Sequence, residues 1–366
     1  MAERGAQPEV PKIPRRTLQA LRAFFTPLLP DDYLEQINPM WTTRELRGRI
    51  EEITREGDDA ATITIRPSWR WPGHRPGQYL RIGLVIDGRH HWRAYSLTSE
   101  PDREDGRIAI TPKLVEAGTV SSYLLREAGP GTLVRLGGVE GTFVLPDPVP
   151  ERLLFITAGS GVTPVMSMLR ALRSQGELRD AVHLHSSRTE SGTIFGEELR
   201  GLDAFEAGYR LHLQISGRDG RLTPAALDEL CPDWRDREAF LCGPTELIEA
   251  LRERWEQDGD PERLHLEHFE PVAGVGEGER GTGGRIRFLS SDKTAESDGS
   301  KPILEAGEDA GATLPSGCRM GICHTCVGKL CSGQVRDLRT GEVSGHPGET
   351  VRTCVNAPEG DVEIYL

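Results

Sequence analysis

The sequence has fewer basic than acidic residues and no long hydrophobic segment, and each of these features excludes a class of function. Only five lysines stand among the 44 basic residues, and 57 acidic residues bring the formal net charge to −13. Such a chain lacks the basic face that the phosphates of a nucleic acid require. No apolar run reaches the roughly 18 residues of a transmembrane helix, and residues 1–16 contain no hydrophobic core of a signal peptide. We therefore expect a cytoplasmic protein that binds no nucleic acid and has no transmembrane segment.

Cysteine is also scarce, with seven residues in 366, which fits a reducing compartment better than a disulfide scaffold. Four of the seven form a pattern: Cys318, Cys323 and Cys326 are spaced C-x4-C-x2-C, and 27 residues separate the third from Cys354. This is the spacing of plant-type [2Fe–2S] clusters, in which four thiolates hold two irons. The alternatives are buried free thiols or a zinc site, although zinc sites usually pair two C-x2-C knuckles or add histidines.

Residues 44–148 predict a small antiparallel β-barrel, because short alternating runs are separated by Gly, Pro and Asp turns. Arg93 and Tyr95 share one face of a predicted strand. There the guanidinium can donate to a phosphate, and the ring can pack on a heteroaromatic cofactor. A predicted helix after a further strand offers a second anion site at its N-terminus, formed by Thr119, Val120, Ser121 and Ser122. Two phosphate-binding elements in one barrel favour a flavin pyrophosphate as the ligand.

Residues 149–270 alternate between predicted strands and helices, which is typical of an α/β domain with a parallel sheet. The run RLLFITAG is apolar throughout, as in a strand buried on both faces. It leads into Gly159 and Gly161, which let the backbone approach a pyrophosphate. We expect Thr163 to cap the following helix and Pro164 to be its first residue. Strand, glycines, cap and helix in this order predict a dinucleotide site.

The residues after the second strand of this domain bear on the choice between NADPH and NADH. An acidic residue there binds the 2′-hydroxyl of NAD, whereas arginine accommodates a 2′-phosphate. Here Arg188 follows the strand with no acid before Glu190, and Arg218 and Arg221 follow the next strand. We expect NADPH, with NADH as the alternative if these arginines only face solvent. Cys242, at the end of a later strand, either lies beside the nicotinamide or is a small buried side chain. Thr245, three residues further on, is expected to cap the next helix.

These motifs together resemble the ferredoxin–NADP reductase superfamily over almost the whole chain, in the domain order of the phthalate dioxygenase reductase type. The resemblance implies a flavin motif of Arg93, Tyr95 and Ser96, with Ser96 near the flavin N5. It also implies catalytic roles for Ser96, Cys242, Glu267 and Phe269, although members often have Tyr where Phe269 stands. Its dinucleotide and C-G-P motifs correspond to Gly159, Gly161, Thr163, Pro164, Gly243 and Pro244, with Arg188 and Arg221 as phosphate ligands. FAD is favoured over FMN because the N-terminal extension and the Ser-rich turn look closer to FAD-binding members.

The predicted architecture has five parts. They are an N-terminal extension (1–43), an FAD-binding antiparallel β-barrel (44–148), an α/β NAD(P)-binding domain (149–270), a flexible linker (271–284) and an α+β, β-grasp ferredoxin domain (285–366). The linker assignment follows from its six glycines. Within the extension, a short amphipathic helix is predicted from Thr17. It either packs on its own domain or contacts a membrane or a partner.

The implied reaction moves electrons from NADPH through the flavin to the cluster. A nicotinamide gives two electrons as one hydride and a [2Fe–2S] cluster accepts one, so a flavin must convert between them. The sequence has no Rieske pair, haem-ligand motif or di-iron set, so we expect the final oxidation to occur in another protein. Residues 25–50 and 318–341 resemble actinobacterial reductases that serve membrane acyl-CoA desaturases, which implies a desaturase as acceptor and peripheral membrane association through it. Alternative acceptors are an alkane monooxygenase, a cytochrome P450 or a ring-hydroxylating oxygenase, and a non-enzymatic redox sensor or carrier is the alternative of another class.

Overall fold

A computed structural model describes residues 30–86, 89–115, 118–269, 281–316, 321, 325–338 and 341–366. The helix predicted from Thr17, most of the predicted linker, Cys318 and Cys323 lie outside these residues. Eight helices are described: α1 (Pro30–Ile37), α2 (Thr119–Arg126), α3 (Val162–Gln175), α4 (Gly196–Phe205), α5 (Ser216–Asp219), α6 (Ala226–Leu230), α7 (Thr245–Asp258) and α8 (Ile303–Asp309). Among the described residues, none of the helices combines the length and the apolar character needed to span a membrane.

The first sheet is a six-stranded antiparallel barrel. Its strands are β1 (Leu46–Glu56), β2 (Ala60–Pro67), β3 (Tyr79–Ile86), β4 (Arg89–Ser96), β5 (Ile108–Ile110) and β6 (Leu133–Glu140). They are arranged β4-β3-β6-β1-β2-β5. The edge strands meet where Leu97, just after β4, bridges to Ile110 in β5. Alternating isoleucines and leucines of these strands point inward to form the core, which confirms the predicted barrel.

The second sheet is five-stranded and parallel throughout. Its strands are β7 (Leu153–Ala158), β8 (Ala181–Ser187), β9 (Tyr209–Ile215), β10 (Glu238–Gly243) and β11 (Leu264–His268), in the order β11-β10-β7-β8-β9. Helices α3 and α4 cover one face, and α6 and α7 cover the other. Strands β7 and β8 are almost completely buried, and for β7 the apolar run RLLFITAG predicted this burial. The carboxyl ends of all five strands therefore meet at one edge.

The third sheet is mixed and packs against α8. Its strands are β12 (Gly284–Phe288), β13 (Lys293–Ser297), β14 (Val327–Asp337), β15 (Val343–Ser344), β16 (Thr350–Arg352) and β17 (Asn356–Tyr365). Strands β12 and β17 are parallel neighbours at its centre, which is the arrangement of a β-grasp. Residues 281–284, the end of the predicted linker, are hydrogen bonded to this domain through Gly281 N–H and Gly283 N–H. The three-domain fold predicted from the sequence is confirmed.

Candidate functional site

A cavity of about 460 Å³ lies between the barrel and the carboxyl edge of the parallel sheet. This volume is in the range of sites for cofactors and small molecules. The barrel contributes the end of β4 and the segment after β5, namely Ala94, Tyr95, Ser96, Lys113, Leu114 and Val115. The other wall comes from the dinucleotide loop and the end of β11, namely Ser160, Thr163, Glu267, His268 and Phe269. The cavity thus brings the predicted residues Tyr95, Ser96, Thr163, Glu267 and Phe269 together.

Ser96 presents an unsatisfied hydroxyl at this cavity. The residue is only 5% exposed, and its Oγ has no hydrogen-bond partner among the described residues. A buried hydroxyl without a partner costs free energy, so its presence indicates a ligand atom that completes the hydrogen bond. Beside it, burial raises the pKa of Tyr95, which keeps the phenol protonated. These features fit a heteroaromatic cofactor in the cavity.

Glu267 and Cys242 are neighbours across strands β11 and β10. Burial raises the pKa of Glu267 to about 8, and its Oε2 has no hydrogen-bond partner among the described residues. Cys242 is fully buried, and burial together with the nearby Glu267 carboxylate raises the pKa of its thiol. Both groups are therefore protonated at neutral pH. The pair places a protonated carboxyl at the cavity wall and a neutral thiol next to it.

The dinucleotide loop enters helix α3 earlier than the sequence predicted. Gly159–Gly161 forms a turn of 3₁₀ helix, and Gly161 is the N-cap of α3. The prediction that Thr163 caps this helix is wrong, because the 3₁₀ turn carries the chain into the helix two residues earlier. Thr163 lies inside the first turn, where its hydroxyl donates to the Ser160 carbonyl at 2.9 Å, and Pro164 is the third helical residue.

A second capping prediction also fails. Thr245 is the first residue of α7 rather than its cap, and Pro244 occupies the cap position without a side-chain hydrogen bond. Pro244 has the extended backbone of a cap residue, but proline has no side-chain acceptor for the N–H groups of the first turn. Gly243 remains at the end of β10, beside the first turn of α7.

The predicted anion site at α2 is only partly available. Helix α2 begins at Thr119, close to the expected position, and Thr119 is exposed. The Ser121 hydroxyl, however, donates to the Gly118 carbonyl and accepts from the Val115 N–H, each at 3.3 Å. Ser121 thus holds the turn before the helix. Arg93 does not line the cavity, and its Nη1 donates to the Trp92 carbonyl at 2.8 Å.

Two exposed arginines lie at the carboxyl edge of the parallel sheet. Arg188 directly follows β8, and Arg221 lies after β9 and α5. Neither side chain has a hydrogen bond or an ion pair with another described residue. Arg218, between them in sequence, is instead paired with Asp219 at 2.7 Å. The guanidinium groups of Arg188 and Arg221 are therefore available to a ligand phosphate at this edge.

Two of the four predicted cluster ligands are described, and both are buried. Cys326 directly precedes β14, and Cys354 lies two residues after β16. The Gly321 N–H donates to Cys354 Sγ at 3.3 Å, as expected for backbone donors around a cluster sulfur. Thr353 donates to the Cys326 carbonyl at 2.8 Å and fixes the two cysteine segments together. Buried sulfurs with an N–H donor fit a thiolate-bound iron–sulfur cluster. Cys318 and Cys323 lie outside the described residues.

Sequence reasoning missed part of the cavity. Lys113, Leu114, Ser160 and His268 line the cavity but were not among the predicted site residues. Lys113 is one of five lysines in the chain, and a rare cation three residues after a short apolar strand was a signal that could have identified it. Tyr79, on the strand next to β4, gave no comparable signal, because one aromatic residue in a strand is ordinary.

Family comparisons agree with this division of the chain. Residues 50–145 match the family model for the oxidoreductase FAD-binding domain, 155–253 that for the oxidoreductase NAD-binding domain, and 287–359 that for the 2Fe-2S iron-sulfur cluster binding domain. An NADPH oxidoreductase of Mycobacterium tuberculosis is 47% identical over 344 residues, which cover 93% of this chain and 90% of the relative. The chain belongs to the ferredoxin–NADP reductase superfamily, with a C-terminal ferredoxin domain. It is an oxidoreductase that binds FAD, a nicotinamide nucleotide and a [2Fe–2S] cluster.

Other relatives of this reductase are more distant. The stachydrine N-demethylase reductase subunit of Rhizobium meliloti is 28% identical over 337 residues, covering 86% of this chain and 95% of the relative. Among solved structures, phthalate dioxygenase reductase aligns with a TM-score of 0.60 at 22% identity, over 88% of this chain and 98% of that one. At this identity the structural match shows the shared three-domain fold.

Proposed function

We propose that this reductase takes electrons from NADPH and passes them through FAD and the [2Fe–2S] cluster to a separate oxidase. The observation that carries the proposal is the cavity in which the Ser96 hydroxyl and the Glu267 carboxyl face the same space from two domains. Bound FAD supplies the conversion between a two-electron hydride and single electrons. The residues of the chain bind and orient the cofactors, exclude water and hold a proton.

On the barrel side, the flavin motif is formed by Arg93, Tyr95 and Ser96. Ser96 supplies a hydroxyl near the hydride-accepting edge of the ring, and the protonated Tyr95 packs on the ring system. Arg93 and the N-terminal turn of α2, Thr119, Val120, Ser121 and Ser122, bind the pyrophosphate. Because the Ser121 hydroxyl is committed to Gly118 and Val115, its contribution is to shape the turn.

On the nucleotide side, the loop of Gly159 and Gly161 with Thr163 and Pro164 receives the NADPH pyrophosphate. Gly243 and Pro244 form the wall beside the nicotinamide. Arg188 and Arg221 bind the 2′-phosphate, which NADH lacks. Their exposure and the absence of partners among the described residues support this assignment, since a guanidinium binds a phosphate by several charge-assisted hydrogen bonds.

Around the hydride path, Glu267 holds a proton at neutral pH because burial raises its pKa to about 8. Cys242 keeps the nicotinamide edge neutral and dry, and the Phe269 ring covers the flavin until the nucleotide enters. At the other end of the pathway, Cys318, Cys323, Cys326 and Cys354 hold the cluster. The Gly321 N–H, which donates to Cys354, tunes the potential of the cluster through its sulfur.

As acceptor we propose a membrane acyl-CoA desaturase. Support comes from the resemblance of residues 25–50 and 318–341 to reductases of such desaturases. A second candidate, an oxygenase component, is favoured by the names of three relatives. Two are reductase subunits of stachydrine N-demethylase and glycine betaine monooxygenase, and one is the ferredoxin reductase component of 3-ketosteroid-9-alpha-monooxygenase. The two acceptors use the same electron path within this chain and differ in where the cluster delivers its electron.

Reconstitution tests the acceptor. Membranes of the native host that lack this protein are supplied with stearoyl-CoA, NADPH and wild-type protein, Cys354→Ser or Cys331→Ser. Unsaturated product with wild type and Cys331→Ser, but not with Cys354→Ser, is the expected result, because Cys331 lies outside the cluster pattern. No product in any sample, although NADPH still reduces flavin and cluster, would reject the desaturase and favour the oxygenase component.

A further inference from the structure

Two side chains of helix α3 bind the chain just after the flavin strand β4. Ser167 Oγ donates to the Ser99 carbonyl at 2.6 Å, and Arg170 Nη1 donates to the Thr98 carbonyl at 2.6 Å. Residues three apart lie on one face of a helix, so both bonds come from the same side of α3. These contacts cross from the NAD(P)-binding domain to the barrel, and none of the sequence motifs includes them.

The barrel end of this contact is rigid. The Thr98 N–H donates to the Ala109 carbonyl at 2.8 Å, and the Ala109 N–H donates to Ser99 Oγ at 3.1 Å. The Ser99 carbonyl also accepts from His74 Nε2 at 3.2 Å. Because Ser96 is only two residues before Thr98, the bonds from α3 act on a segment that is continuous with the flavin motif.

The helix end of the contact is also fixed. The Arg170 guanidinium forms a bidentate ion pair with Glu198, at 2.8 and 2.5 Å, and lies 5.0 Å from the centre of the Phe195 ring. This leaves Nη1 aimed at Thr98. Ser167 is completely buried, as are Thr98 and Ser99. Without Arg170 the buried Thr98 carbonyl would lose its side-chain donor, which costs free energy, whereas without Ser167 the Ser99 carbonyl would keep only the bond from His74. Both bonds therefore resist separation of the two domains.

Helix α3 connects this contact to the dinucleotide loop. The helix begins at Val162, immediately after Gly159–Gly161, and Ser167 lies five residues on, roughly 8 Å along the axis. A helix over this length is stiff, so a shift at Ser167 moves the loop with it. The two bonds therefore link the nucleotide loop of one domain to the flavin strand of the other.

We propose that Ser167 and Arg170 are positioning residues for hydride transfer, which set the approach of the nicotinamide to the flavin by fixing α3 to Thr98 and Ser99. In this step one hydride, with its two electrons, leaves the reduced nicotinamide and is taken up by the flavin. The nucleotide is oxidised and the flavin reduced. The inference rests on the nicotinamide-to-flavin half of the proposed function and on no particular acceptor. A small displacement of α3 should lower the hydride-transfer rate strongly, because this rate falls steeply as the reacting atoms move apart.

The test compares Ser167→Ala and Arg170→Gln with matched changes on the same helix. Ser174→Ala removes a hydroxyl that bonds only within α3, to the Ala171 carbonyl. Arg173→Gln removes a guanidinium that pairs with Glu206 inside the NAD(P)-binding domain. Arg170→Lys is the conservative variant, since it keeps the charge and one donor. The two positions act through separate bonds, so either variant alone tests the proposal.

Two readouts are used. Anaerobic stopped-flow mixing with NADPH and with NADH gives the rate of flavin reduction per bound flavin and the nucleotide dissociation constant. Hydrogen–deuterium exchange of the holoprotein reports the amides of residues 94–99 and 159–170. We expect Ser167→Ala and Arg170→Gln to lower the hydride-transfer rate about tenfold at saturating nucleotide, with little change in nucleotide affinity. Exchange in both segments becomes faster, Arg170→Lys recovers part of the rate, and the two control variants behave as wild type.

Three results would overturn the proposal. The first is a hydride-transfer rate that stays at the wild-type value in either variant, whether or not exchange in the two segments has accelerated. The second is a loss that appears only as weaker nucleotide or flavin binding, and the third is an equal loss in the control variants. The proposed function has a separate test in the same experiment. It would be contradicted if neither NADPH nor NADH reduced the flavin of the wild-type protein. If the wild-type flavin is reduced and the variants match it, only the positioning role is contradicted.

Discussion

Gly161 approaches Cys242 so closely that a Cβ on the glycine would stand 2.1 Å from the Cys242 carbonyl oxygen. Real side chains do not tolerate this distance, so only glycine allows the dinucleotide loop to rest on the end of β10. Cys242 in turn lies beside Glu267 on β11. The contact therefore joins the nucleotide loop to the side of the cavity that holds the protonated carboxyl.

Gly161→Ala is expected to move the dinucleotide loop away from Cys242. If this loop binds the nucleotide pyrophosphate as proposed, the nucleotide dissociation constant should rise about tenfold or more, because a displaced loop loses hydrogen bonds to that group. Titration of the oxidised protein with nucleotide measures this constant. The control is Gly201→Ala in α4, where a Cβ has open space. It should stabilise the fold by about 0.5–1 kcal/mol and leave the constant unchanged, and an equal effect of the two changes would refute the account.

Glu267→Gln should stabilise the fold in a pH-dependent way. The folded pKa is about 8 against an ordinary value of 4.5, so the folded state disfavours the charged form. Below about pH 4.5 the carboxyl is protonated in both the folded and the unfolded state, so its ionisation does not lower the free energy of unfolding. Between about pH 4.5 and pH 8 the carboxyl loses its proton in the unfolded state only, so the free energy of unfolding falls as the pH rises. Above about pH 8 the carboxyl is charged in both states and the free energy of unfolding falls no further.

The glutamine removes this cost. We expect the free energy of unfolding of Glu267→Gln to exceed that of wild type by roughly 2–4 kcal/mol near pH 9, and the gap to close as the pH falls towards 5. Urea denaturation across this range provides the measurement, with Glu253→Gln on the exposed face of α7 as control. A constant difference at every pH would show that the carboxyl is not perturbed.

Arg237→Met should destabilise the NAD(P)-binding domain. The guanidinium is 4% exposed and binds Asp180 at 2.8 Å, Asp233 at 2.8 Å and the Leu153 carbonyl at 3.2 Å. Its removal should cost about 1–3 kcal/mol, because the buried Leu153 carbonyl loses a donor while the two carboxylates remain in contact with water. Arg252→Met breaks exposed pairs on α7 and should change the free energy by at most about 0.5 kcal/mol. Chemical denaturation compares the two variants, and similar values would contradict the buried role of Arg237.

Arg237 also determines how the stability of this domain changes with pH. Its hydrogen bonds lower the pKa of Asp233, so that carboxylate stabilises the fold above its ordinary pKa. The contribution is lost as the pH falls through the lowered pKa, and the stability difference between wild type and Arg237→Met should shrink in acid.

Arg188→Ala and Arg221→Ala should change the choice of nucleotide. If these guanidinium groups bind the 2′-phosphate, each change raises the NADPH dissociation constant about tenfold or more and leaves that for NADH almost unchanged. Arg179→Ala, at the opposite end of β8, removes an exposed arginine and should affect neither constant. Equal weakening for the two nucleotides would mean that the arginines act on a group that both share.

The sequence predicted the three domains because each has its own local pattern. Short alternating runs indicated the barrel, continuous apolar runs indicated the parallel strands, and cysteine spacing indicated the cluster. Capping was less predictable: Thr163 and Thr245 are good caps by type, but a 3₁₀ turn at Gly159–Gly161 and the extended backbone of Pro244 moved both caps. The geometry of the turn decides the cap, and residue type alone does not determine that geometry.

Contacts between distant segments were out of reach of sequence reasoning. Nothing local predicts that Glu267 pairs with Cys242 across two parallel strands, since register depends on the packing of the whole sheet. Ser167 and Arg170 look like ordinary residues of an amphipathic helix. Their partners, Thr98 and Ser99, are about 70 positions earlier in the chain and belong to another domain.

The most direct test of the electron path is anaerobic mixing of NADPH with wild-type protein and Cys354→Ser, followed by flavin absorbance and by electron paramagnetic resonance of the reduced cluster. In wild type the flavin should bleach first and the cluster signal should follow. In Cys354→Ser the flavin should still bleach and the cluster signal should be lost, whereas Cys331→Ser should match wild type. A wild-type flavin that NADPH does not bleach, or a cluster signal that persists in Cys354→Ser, would contradict the proposed path.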